Sequence, residues 1–88
     1  MNAQPTGLTF PCQFPIKAMG PDSGELTRVV WAIVSRHAPE TPAGAIRTSS
    51  SRHGRFLSVT VTITAHSREQ LDAIYAELNA HEGVLATL

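Results

Sequence analysis

Two short polar stretches hold the residue types that could recognise a small molecule. MGPDSGEL, Met19 to Leu26, places Gly20, Asp22, Ser23 and Gly24 around a proline at the entry to an apolar, periodic segment. Such a turn either only starts a helix or also seats a ligand, and both uses draw on the same residue types. In the first use Gly20 ends a strand, Pro21 stiffens the turn and Asp22 caps the helix, with Ser23 an almost equal candidate for the cap. SSSRHGR, Ser49 to Arg55, collects three hydroxyls with Arg52, His53, Gly54 and Arg55. Arginine offers a forked donor set and a glycine-containing turn can direct amides inward, so Ser49, Ser50, Arg52, His53, Gly54 and Arg55 are candidate contacts for an anion or a partner. The glycine spacing is not that of a phosphate-binding P-loop, and a solvated hairpin tip is the simpler use of the same residues.

The other reactive side chains do not converge in sequence. His37, His53, His66 and His81 lack the close spacing of a metal motif. His37 and His81 sit near helix C-termini, where the helix dipole favours a donor or cation. Cys12 is the single cysteine, so no intrachain disulfide forms; beside Phe10 and Phe14 it reads as a small buried hydrophobe in a reducing compartment. No base or orienter stands near it, and no acid pair or nucleophile motif appears, so the chain is expected to be non-catalytic and to need no cofactor or metal. Seven basic and seven acidic residues balance, so no net field draws the protein to nucleic acid or anionic lipid. The first ten residues lack the pattern of a signal peptide and no stretch approaches a membrane span, which makes a cytoplasmic protein the expectation.

The elements that must position these residues fit one domain, since 88 residues leave room for a single modest core. Residues 1–9 read as a loose tail, and residues 10–88 as the domain. In FPCQFPIKAM, Phe14, Ile16 and Ala18 alternate with Gln13, Lys17 and Met19, as in a half-buried strand. Pro11 and Pro15 remove ladder donors, so the start of that strand is expected to be irregular and paired along one side only. Leu26, Val29, Val30, Ile33 and Val34 form a helical stripe, which Pro39 ends; Trp31 lies off it, either as a flank of the core or as an aromatic that faces a partner. A loop at 39–44 and a short strand near 45–50 follow. Leu57, Val59, Val61, Ile63 and Ala65 then alternate with Ser58, Thr60, Thr62 and Thr64, the strongest strand pattern in the chain. Gly54 suits a hairpin turn between the two strands. Ser67 with Gln70 makes a capping box for a helix carrying Leu71, Ile74, Tyr75 and Leu78; Gly83 is expected to end it before a last strand in VLATL.

The order strand, helix, strand, strand, helix, strand, with right-handed crossovers, predicts an α+β fold: a ferredoxin-like βαββαβ two-layer sandwich with a four-stranded antiparallel sheet and both helices on one face. The threonine row then looks outward, open to solvent or to a second copy, so a homodimer is the expected assembly.

FPCQFPIKAMG, the RHAP at 36–39 and SSSRHGRFLSV together resemble the YbeD-like bacterial family over nearly everything from Phe10 to Leu88. Phe56 stands where that family more often has tyrosine. The resemblance implies the split fold and a similarity to ACT domains, regulatory modules that bind small ligands at dimer interfaces. In that setting Gly20 and Gly24 would let the backbone approach a ligand whose carboxylate meets the amides at the helix start. The resulting expectation is a non-catalytic regulatory or sensor module for a small anionic metabolite or a partner protein. An RNA-recognition module of the same topology is the alternative, although the third strand shows Ser and Thr where stacking rings are wanted. A small acyl- or phosphoryl-transfer enzyme is the other; the glycine-rich, arginine-containing loop of acylphosphatases is not evident after the first strand.

Overall fold

The computed structural model describes residues 8–51 and 53–88, so Arg52 lies outside the described residues. Four strands, β1 (Cys12–Pro21), β2 (Ile46–Ser50), β3 (Phe56–Ala65) and β4 (Ala86–Thr87), alternate with the helices α1 (Leu26–His37) and α2 (Arg68–Ala80), and a 3-10 turn at Ala43–Ala45 leads into β2. The sheet order is β2-β3-β1-β4, with every neighbouring pair antiparallel. This is the expected split architecture.

Periodicity explains both layers. On β3, Leu57, Val59, Val61, Ile63 and Ala65 are buried, and the intervening Ser58, Thr60, Thr62 and Thr64 are only partly covered. Ile16 and Ala18 of β1 join the buried face, and Leu26, Val30, Ile33 and Val34 of α1 and Leu71, Ile74 and Leu78 of α2 close over it. Each such side chain withdrawn from water contributes about 1.5–3 kcal/mol before conformational entropy is counted. Trp31, Val29 and Tyr75 pack partly buried at the margin, as flanks of the core. Leu8, which the sequence assigns to the tail, and Cys12, read there as buried, are both only half-buried against that core.

Backbone pairing accounts for the prolines. β1 meets β3 along its whole length, whereas β4 pairs only with Ala18 and Met19. Among the described residues, Pro15 therefore falls on a stretch of β1 whose second side has no strand beside it, where the missing donor costs little.

Three local expectations are corrected. Neither Asp22 nor Ser23 is the N-cap of α1: the helix starts after Glu25, which makes no side-chain cap bond. Gly24, at φ +85°, makes the turn that carries the chain past both residues before the helix begins. At α2 the Ser67 hydroxyl accepts from the Gln70 amide at 3.0 Å as foreseen, but the Gln70 side chain reaches one residue further back, to the amide of His66 at 2.7 Å. Gly83 does not end α2, whose cap is His81 in an extended conformation. The last strand is confined to Ala86–Thr87.

Candidate functional site

Antiparallel pairing puts the end of β1 beside the start of β3, with Pro21 opposite Phe56. The β1–α1 loop and the β2–β3 hairpin, remote in sequence, thereby meet at one end of the molecule. The Asp22 amide donates to the Arg55 carbonyl at 3.1 Å, and the Ser50 hydroxyl donates to the Asp22 carboxylate at 3.3 Å. The two candidate sites are one junction. Beside it, on the open side of the sheet, lies a shallow cavity of about 230 Å³ lined by Met19, Ser49, Ser50, Ser51, Phe56, Leu57 and Ser58. Phe56 forms its apolar wall and is 42% exposed.

The hairpin's shape is set by Ser51. Its hydroxyl accepts from the amides of Arg55 and Phe56, both at 3.2 Å, while its carbonyl accepts from Gly54 at 3.0 Å. Gly54 takes φ +69°, the left-handed geometry expected of it. These amides are therefore turned onto Ser51 rather than toward a ligand, which corrects the idea that the glycine turn cradles an anion with its backbone. His53, Arg55 and Ser49 remain exposed as side chains. Gly20 also has a different task. A Cβ there would lie 2.3 Å from the Gly83 carbonyl oxygen, so its missing side chain admits the α2–β4 connection, not a ligand. Ser23 stays within the loop, its hydroxyl 3.5 Å from the Glu25 amide.

A second polar cluster was hidden in the sequence. Arg36 donates to one Glu77 oxygen at 2.6 Å and His37 meets the other at 2.6 Å, clamping the end of α1 to α2. The His37 carbonyl accepts from the Gln70 side chain at 2.9 Å, and Ala38 is buried, so the RHAP motif is a device for fastening helices. The His37 hydrogen bond, with Arg36 in support, holds the Glu77 carboxyl below the usual carboxylate range. His66 does the same to Glu40 across the β3–α2 and α1–β2 connections, at 2.9 Å. Burial raises Tyr75, whose hydroxyl donates to the Leu88 carbonyl at 3.2 Å. A groove of about 450 Å³ between the helices is floored by Val29, Ala32, Ile33 and Ala80 and rimmed by Arg36, Glu77 and His81. Only spatial pairing reveals the clamp, because its carboxylate lies on the other helix. Among the described residues no three His, Cys, Asp or Glu side chains converge on a point that could hold a metal ion, and no helix is long and apolar enough to cross a membrane.

Fold and junction define a small α+β domain of the ferredoxin-like class. The chain belongs to the family described as "Protein of unknown function (DUF493)", whose model matches residues 5–88. It is 42% identical over 81 residues to UPF0250 protein NE1487 of Nitrosomonas europaea, covering 92% of this chain and 93% of that one. With a UPF0250 protein of Azotobacter vinelandii it shares 44% over 81 residues, 90% of this chain and 87% of the relative. The YbeD-like pattern in the sequence is thus a true family signature. Among solved structures, the solution structure of HP0495 from H. pylori matches with a TM-score of 0.70 at 14% identity, covering 100% of this chain and 98% of that one, a likeness of fold.

Proposed function

We propose that the protein is a non-catalytic regulatory module of ACT-like type that binds a small anionic effector at the junction of the β1–α1 loop and the β2–β3 hairpin and works as a homo-oligomer. The observation that supports this most directly is the pair of bonds through Asp22, to Ser50 and to Arg55, beside the serine-lined cavity. A ligand that engages the hairpin pulls on the loop that leads into α1. Because the amides of Gly54, Arg55 and Phe56 are already used, recognition falls to side chains: the hydroxyls of Ser49 and Ser58, the Arg55 guanidinium, and Phe56 and Met19 as apolar walls. Edge strand β2 borders the cavity, so a second copy pairing along it would cover the bound effector.

Thermal melting in the presence of amino acids, organic acids and nucleotides tests the reading. One class should raise the melting temperature, because a ligand at a hundred times its Kd stabilises the folded state by about 2.7 kcal/mol. Ser50→Ala and Arg55→Ala should each reduce that shift, and sedimentation should show the effector changing the assembly. A panel without any shift sinks the effector reading and leaves protein binding in its place.

A further inference from the structure

The strands of this molecule carry only positive charge although the chain as a whole sums to zero. None of the seven acidic residues lies in a strand, and the only charged residues in the four strands are Lys17 and Arg47. Register places both in one cross-strand row, Lys17 opposite Thr60 and Thr60 opposite Arg47, on the side of the sheet away from the helices. Two strand spacings separate them, about 10 Å between backbones. Among the described residues, Lys17, Arg47 and Arg55 enter no ion pair, whereas Arg28, Arg36 and Arg68 are each paired with an acid on the helical side. Arg47 is pre-oriented: its Nη1 donates to the carbonyls of Gly44 at 2.8 Å and Ile46 at 3.0 Å, which leaves the N–H groups on Nε and Nη2 for another acceptor.

We propose that the open face of the sheet docks an acidic surface of a partner protein, with Lys17 and Arg47 receiving its carboxylates and the hydroxyl of Thr60 supplying a neutral hydrogen bond between them. A second copy meeting face to face is disfavoured, because each cationic row would oppose its like. Nucleic acid is disfavoured because the face offers hydroxyls where base stacking needs rings; Phe56, at its far end, is the aromatic it carries. The docking row lies beyond the effector cavity, so each reading can fail alone.

The test is an amide NMR titration of the whole chain with a ten-residue oligoglutamate, alongside a fifteen-nucleotide oligouridine. The expected result is saturable shifts at Lys17, Arg47 and Thr60 that weaken at high salt. Lys17→Gln combined with Arg47→Gln should weaken binding about tenfold, the scale set by two exposed ion pairs. Lys17→Gln alone, which leaves the Arg47 carbonyl contacts in place, should lose about threefold. No shifts, shifts on the helical side, affinity indifferent to both variants, or tighter binding of oligouridine on this face would each overturn the proposal.

Discussion

Gly20 shows how a residue can be chosen by a partner far along the chain. Its backbone is unexceptional, yet the Gly83 carbonyl occupies the place a side chain would need, and two methyl carbons of Leu26 lie just behind, at 3.1 and 3.3 Å. Gly20→Ala must push backbone aside, so it should cost about 1–3 kcal/mol, read as a lower urea midpoint at an unchanged slope. A ligand-binding role for Gly20 predicts instead a variant that folds normally and loses only binding. The sequence makes a small residue here visible but not its reason, since the same glycine before a helix suits a turn, a ligand or a close approach. Asp22 is the parallel case: its type announces a cap, and its geometry makes it the tie between two loops.

Element identities were more legible than element ends. The alternation on β3 and the stripes on α1 and α2 follow from which faces must leave water, and the structure buries the residues that periodicity selects except Val29 and Tyr75, which stay partly exposed at the margin. Ends depend on backbone hydrogen bonds that local sequence does not fix. β4 shrinks to two residues, and α1 begins after Glu25. What joins the helices could not be read at all, because Arg36 and His37 look like ordinary late-helix cations until Glu77 comes alongside. That clamp makes a pH prediction. Its hydrogen bonds hold the Glu77 carboxyl below the ordinary value of 4.5, so the stability it contributes is present above that value and is lost as pH falls through the lower folded-state value. Glu77→Gln should lower the melting temperature at neutral pH, and the gap between variant and wild type should close on acidification below 4.5. A gap independent of pH would mean that the carboxylate's charge is not what fastens the helices.

At the scale of the whole molecule, one thin core carries the fold. A domain of this size is stable by only about 5–15 kcal/mol, and removing most of a buried isoleucine costs about 2–5. Ile74 is fully buried where α2 meets the sheet, so Ile74→Ala should cost about 2–5 kcal/mol, a large share of the total, measured by equilibrium urea unfolding. A loss under 1 kcal/mol would mean that the helical layer is not what shields the sheet. The other side of the sheet shows why architecture is readable before function: its threonines announce a strand, whereas a partner or effector is specified by charges and loops brought together only in three dimensions. The ladder joining β1 to β3, ten residues long, has a consequence of its own. Its rungs connect residues roughly half the chain apart, so a long stretch of polypeptide must be closed before any rung forms. Either helix can flicker into being within its own segment, but its apolar stripe has no sheet to cover until those distant strands meet, so the search for that encounter is expected to set how fast the molecule folds.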